Sequence, residues 1–140
     1  VDLYLSPGML RYRPEVTSHI RQIKDVAVRL DRDIRLRGLR VEVTRNPHFD
    51  RYSGWAVPEV HSRSRQGYIT HAHPDGLITL RIGDECGDED IIRLTAHELR
   101  HIGQFHRGRK RYGVMTTAPL DHWESERDAE GFEDRVLERM

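Results

Sequence analysis

Along this chain the apolar positions switch between a helical and an alternating period, and each switch marks an element. From Pro14 to about Arg37, Val16, Ile20, Ile23, Ala27, Leu30 and Ile34 recur at three- and four-residue steps. That spacing predicts one long amphipathic helix closed by Gly38. Alternation then takes over. Val41 to Thr44 reads as a strand broken by Asn46-Pro47, Gly54 to Val60 as the next, and Tyr68 to His71 as a weaker one. Leu77 to Ile82 is the clearest strand, bounded by Asp75-Gly76 and Gly83-Asp84. The helical period returns with Ile91, Ile92, Leu94, Ala96, Leu99, Ile102 and Phe105, behind Asp88-Glu89-Asp90. Asp88 is the expected N-cap, the acidic first turn suits the helix dipole, and Gly108 is the expected stop. Trp123, Ala129, Phe132, Val136, Leu137 and Met140 describe a last amphipathic helix. The expected architecture is α+β: an N-terminal backing helix, a short mixed or antiparallel sheet, a central helix and a C-terminal helix, with the helices on one sheet face. Residues 1–140 suffice for a single domain.

With 36% hydrophobic and 33% charged residues the core should be thin, so that a bound metal would add usefully to stability. The formal net charge of zero argues against a strong field for nucleic acid or acidic membranes. The basic residues are 21 Arg against 2 Lys, a skew that fits coding bias better than that many recognition sites. Arg107-Gly108-Arg109-Lys110-Arg111 is a local basic patch, read as a solvated loop. Cys86 is the only cysteine, which excludes a disulfide framework and a cysteine zinc knuckle. No apolar run approaches membrane-spanning length and no secretory signal is visible, so the cytoplasm is the expected location. The chain opens on Val1-Asp2 without an initiator Met, which is compatible with a trimmed leader.

The central helix carries His97-Glu98-Leu99-Arg100-His101, a match to H-E-x-x-H. With 9 His and 11 Glu in 140 residues, roughly 0.05 such matches arise by chance, so context has to decide. On a helix His97 and His101 share a face and can both turn a nitrogen to one tetrahedral Zn²⁺, while Glu98 is placed to act as base on the attacking water. Leu99, Ile102 and Phe105 anchor the helix, and Gly103 removes bulk one turn below the histidines.

A catalytic zinc needs a third protein ligand. His106 is one candidate, but Gly103 and His106 each come one residue too early for the metzincin spacing, and a helix C-terminal role facing the dipole suits His106 better. In the last helix Glu126 projects within roughly 40–50° of the centre of the apolar face, whereas Glu124 and Asp128 lie about 160° and about 120° away and should face solvent. A carboxylate on a buried face needs a partner, and zinc would be one. Glu130 is the expected acceptor for the far nitrogen of a ligand histidine. Glu133 also falls near the apolar face, without an evident role. His71 and His73 flank Ala72 on an extended segment; surface histidines are the default there, a second metal the sharper alternative. Tyr112 and His122 are candidates to stabilise an oxyanion.

His97-Glu98-x-x-His101 followed by Glu126-x-x-x-Glu130-x-Phe132 resembles the gluzincin layout. The stretch Glu126-Arg127-Asp128-Ala129-Glu130-Gly131-Phe132 is similar to the E-x-E-A-N-x-F segment of ImmA/IrrE-type peptidases, and the small single-domain minigluzincins match best in size. The resemblance rests on about 36 residues, from His97 to Phe132, and Glu130 departs from the usual Asp or Asn. It implies a zincin-like fold, zinc held by His97, His101 and Glu126, and Glu98 as general base. The expected activity is therefore zinc-dependent endopeptidase cleavage of a protein or peptide substrate lying along the Leu77–Ile82 strand as a sheet edge. The competing expectation is a latent, zinc-stabilised interaction module whose fourth position is closed by His106, His122 or His71. A third is a protease acting on DNA-bound proteins through the Arg107–Arg111 patch.

Overall fold

A computed structural model describes residues 1–140 apart from the side chain of His71, so the paired reading of His71 with His73 lies outside the described residues. The elements run β1 (Asp2–Leu5), α1 (Pro7–Tyr12), α2 (Val16–Leu30), β2 (Leu39–Arg45), β3 (Tyr52–Val57), β4 (Val60–Arg63), β5 (Ile69–His73), β6 (Gly76–Ile82), α3 (Asp88–Tyr112) and α4 (His122–Arg139). Four strands form a mixed sheet in the order β1-β2-β6-β3. The first three are parallel and β3 runs antiparallel to β6, while β4 and β5 pair as a separate hairpin. The protein is thus a small α+β structure, and among the described residues no helix is long and apolar enough to cross a membrane.

The alternation read from the sequence becomes a one-sided sheet. Leu39, Val41 and Val43 of β2 and Ile78, Leu80 and Ile82 of β6 are buried, and the register pairs Val41 with Ile78 and Val43 with Leu80. The intervening Arg40, Glu42, Thr44, Thr79 and Arg81 are only half-buried on the other face. Against the apolar face lie Ile20, Ile23 and Ala27 of α2 and Ile91, Leu99 and Ile102 of α3, while α4 packs on α3 and α2 and adds Phe132 and Val136 to the same continuous core. Burial of this size is the main force holding the layers together.

Several expected boundaries move, for identifiable reasons. Helix α2 ends at Leu30, not near Arg37, because Asp31 turns extended and its carboxylate accepts from the Asp33 N–H and pairs with Arg100 and Arg107. Ile34 stays buried from the loop that follows, so the apolar spacing outlasts the helix. The Gly54–Val60 strand is two strands, β3 and β4, separated at Pro58, which has no N–H to donate. The N-cap of α3 is Gly87 rather than Asp88, and the Asp90 carboxylate accepts from the Gly87 N–H at 3.3 Å. Gly108 does not stop α3: it sits inside the helix, where a Cβ would come within 1.9 Å of the Thr116 carbonyl oxygen. The helix runs on to Gly113, whose φ of 81° supplies the left-handed C-cap.

Two further expectations fail at the surface. Trp123 and Met140 are exposed, and the inner stripe of α4 is Ser125, Ala129, Phe132 and Val136. The Arg107–Arg111 stretch is no solvated loop but the last turns of α3, where Arg107 and Lys110 meet Asp31 or Asp33 and Arg109 meets Asp75. Arg107 and Arg109 are half-exposed and Lys110 is exposed, and each is paired with a carboxylate of the same fold.

Candidate metal centre

Helices α3 and α4 bring the three expected ligand residues together. His97 and His101 sit one turn apart on the half-buried side of α3, and Glu126 faces them from the first turns of α4. The Asp121 side chain fixes where α4 begins by accepting from the Glu124 N–H at 2.8 Å, with the Glu124 carboxylate returning to the Asp121 N–H at 3.3 Å. That cap commits Glu124 to the exposed side and sets the register that turns Glu126 inward. His97 Nε2 lies 3.0 Å from Glu126 Oε2, His101 Nε2 lies 3.0 Å from Glu126 Oε1, and the two Nε2 atoms are 3.1 Å apart. One ligand atom from each residue falls within 4.8 Å of the others.

The far nitrogens are engaged as well, by residues that differ from the expected one. Glu130 is exposed and does not take the supporting role. Glu133 does, its Oε2 standing 2.7 Å from His97 Nδ1. For His101 the partner is Gln104, whose Oε1 is 2.9 Å from Nδ1. A carboxylate can only accept, so His97 carries a proton on Nδ1, and Nε2 is the nitrogen turned toward Glu126 and His101. Burial works against protonation of His97, but the Glu133 hydrogen bond and the charges of Glu98, Glu126 and Glu133 outweigh it and raise its pKa. The signal for Glu133 in the sequence is its place seven positions after Glu126, nearly two full turns on.

Glu98 is 5% exposed, and among the described residues no hydrogen bond reaches its carboxylate. Burial pushes its pKa up to about 7, against the pull of His97 and with the help of Glu126 and Glu133. The edge strand lies tight over it. A Cβ on Gly54 of β3 would come within 2.9 Å of Leu94 Cδ1 and 3.3 Å of Glu98 Cγ, so only glycine allows this approach. Gly54, Trp55 and Ala56 form one wall of an open cleft of about 500 Å³, with His97, Glu98, His101, Phe105, His122 and Glu126 around the rest.

The other candidates fall elsewhere. His106 is buried and structural: the Arg35 N–H donates to its Nδ1 at 2.9 Å, and its Nε2–H donates to the Asp75 carbonyl at 2.8 Å. It pins two loops to α3 instead of facing the dipole at the helix end, and burial lowers its pKa. Asp128 does not face solvent; it accepts from Arg100 through both oxygens and from Gln104. Gly103 makes room for the buried Asp31 carboxylate, 2.2 Å from where its Cβ would be, not for the cleft. Tyr112 is exposed at the last turn of α3, whereas His122 lines the cleft. Strand β6 is central, and the sheet edge bordering the cleft is β3.

Two imidazoles and a carboxylate fit a zinc ion on chemistry and spacing. A tetrahedral site with zinc–nitrogen bonds of about 2.0–2.1 Å has neighbouring ligand atoms about 3.3 Å apart; the two imidazole nitrogens are 3.1 Å apart, and each meets a different oxygen of Glu126 at 3.0 Å. Compared with known proteins, the chain matches no family model, no curated protein and no solved structure.

Proposed function

We propose that this protein is a zinc-dependent peptide-bond hydrolase of the gluzincin kind. His97, His101 and Glu126 hold the metal and Glu98 is the general base. The observation that carries the reading is the convergence of two imidazole nitrogens and one carboxylate at 3.0–3.1 Å beside a buried carboxyl group, in an open cleft. Zinc held there supplies Lewis acidity, polarising a carbonyl and making water a nucleophile near neutral pH.

The chain's own residues supply the rest. Glu98, with its pKa raised to about 7 in the metal-free fold, is poised to exchange protons near neutrality: it takes one from the attacking water and returns it to the leaving amine. Glu133 and Gln104 hold the two imidazoles in place. His122, at the mouth of the cleft, is the side chain best located to donate to an oxygen that gains charge. An extended peptide would add along the β3 edge, whose outer N–H and C=O groups border the cleft, and this replaces the Leu77–Ile82 strand as the docking edge. The zincin-like character of the fold is part of the same proposal, supported by the mixed sheet with an antiparallel edge beside the H-E-x-x-H helix.

A latent module would need a fourth protein ligand. His106 is committed to Arg35 and Asp75, and the candidate metal-binding group among the described residues contains three. The deciding experiment is metal analysis of the purified protein together with a peptide-library cleavage assay of wild type and Glu98→Gln. About one zinc per chain in both, with cleavage lowered by about 10²-fold or more in the variant, is the expected result. Equal cleavage by the two proteins removes Glu98 as base, and failure to take up zinc at neutral pH removes the reading altogether.

A further inference from the structure

Behind His101 lies a chain of buried polar contacts that the zinc-ligand motif does not require. Gln104 is 2% exposed and its amide nitrogen has two partners, the Ser125 carbonyl at 2.9 Å and Asp128 Oδ2 at 2.8 Å. Both are acceptors. Asp128 is itself held through both oxygens by Arg100, at 2.7 and 3.0 Å, and Arg100 is anchored on the buried Asp31 at 2.9 Å. The amide therefore cannot turn over: a flip would set its oxygen against a carbonyl and a carboxylate, two acceptors with no proton to give. With the nitrogen so fixed, Oε1 is the atom that meets His101 Nδ1, at 2.9 Å.

We infer that Gln104, clamped between Ser125 and the Arg100–Asp128 pair, is a positioning residue that holds a proton on His101 Nδ1 and so fixes the ring with Nε2, the ligand atom, turned toward His97 and Glu126. This rests on the proposed metal reading for its purpose but not for its geometry. His97 Nδ1 meets a carboxylate, whereas His101 Nδ1 meets a neutral amide whose direction is set by the residues behind it. The device ties the ligand histidine to α4 through Ser125 and Asp128, and to the loop after α2 through Asp31.

The test reads the tautomer in metal-free protein by ¹⁵N NMR of the histidine rings at pH 8, and zinc affinity by titration against a competing chelator. In wild type His101 is expected to carry a proton on Nδ1, whether or not Nε2 also carries one toward Glu126. Gln104→Met, similar in volume but without the acceptor, should lose that preference and bind zinc about 10- to 100-fold more weakly. Gln104→Glu keeps an acceptor for His101 but sets a like charge beside Asp128. A purely structural role would rank it below Gln104→Met; the positioning role ranks it above in zinc affinity. A His101 without a proton on Nδ1 in wild type, an unchanged Nδ1 proton in Gln104→Met, or the reverse ranking overturns the inference. Wild type that takes up no zinc would end the metal reading, while the tautomer, measured without metal, still decides the role of Gln104. Should Gln104→Met fail to fold, the wild-type tautomer alone decides between the two roles.

Discussion

Glu98 is expected to make the metal-free protein less stable than it need be. Its carboxyl group is buried, no hydrogen bond compensates it among the described residues, and its pKa rises from 4.5 to about 7. Folding must then hold the group neutral or bury a charge. Below pH 4.5 the carboxyl is protonated in both folded and unfolded chains and costs nothing. Between 4.5 and 7 the unfolded chain releases the proton while the folded one keeps it, so stability falls as pH rises; above 7 the cost is complete and constant. A rise of that size corresponds to about 3 kcal/mol. Glu98→Gln removes the titration and keeps the shape. In chelator-treated protein its advantage over wild type should be smallest at pH 4 and grow to a plateau near pH 8 approaching about 3 kcal/mol, or about 10 °C in Tm for a domain of this length. Urea unfolding at four pH values from 4 to 8.5 measures it directly. An advantage that does not change with pH would refute the reasoning, since it would mean that Glu98 titrates alike in the folded and unfolded chains.

Glu126→Ala should weaken zinc binding markedly in a chelator competition and Glu124→Ala should leave it nearly unchanged, because the first carboxylate faces both imidazoles and the second caps α4. Gly103→Ala should cost about 2–4 kcal/mol in urea unfolding, as the new methyl group displaces Asp31 from Arg100 and Arg107. The hydrogen bonds from Arg100, joined by Gln104, hold the Asp128 carboxyl below the usual carboxylate range, so its contribution to stability is present above about pH 4 and lost as pH falls through its depressed pKa. Asp128→Asn should therefore flatten the acid limb of the stability curve of chelator-treated protein, and an unchanged limb would discount the pair.

What the sequence discloses is what depends on local periodicity. The alternation in β6, the apolar stripe of α3 and the inward face of α4 at Glu126 can all be read from spacing, because side-chain direction repeats faithfully within one element. β1 and α1 escape a reading by period because both are short, although Ser6-Pro7 is an N-cap followed by a proline at the first helical position, and the Ser6 hydroxyl does accept from the Met9 N–H. Long polar side chains reaching from a neighbouring helix are invisible to spacing. Asp128 lies well off the apolar stripe of α4, yet Arg100 and Gln104 extend from α3 to meet it. Angular position on one helix says nothing about such reach. For the same reason Glu133 and Gln104 replace Glu130 behind the histidines: the choice depends on how closely α3 and α4 approach, and that is fixed by packing around Phe132 and Ala129.

The sheet also has a consequence for how the chain folds. β2 meets β6 in parallel through pairs such as Val41 and Ile78, and β1 meets β2 through Leu3 and Val41, so neither contact can be closed by a tight turn. β3 and β6 differ. The β4–β5 hairpin lies between them in sequence, pairing Val60 with His73, and the β3–β6 ladder starts just beyond it at Val57 and Leu77. Once the hairpin closes around Gly67, most of the loop entropy separating β3 from β6 has been removed, and the ladder can grow from Val57 and Leu77 toward Tyr52 and Ile82. The antiparallel half of the sheet, which carries the cleft wall, is therefore kinetically local, while the parallel half waits for α2 to bring β1 and β2 alongside. The slow step in folding is expected to be the closure of the parallel strands rather than of the cleft wall.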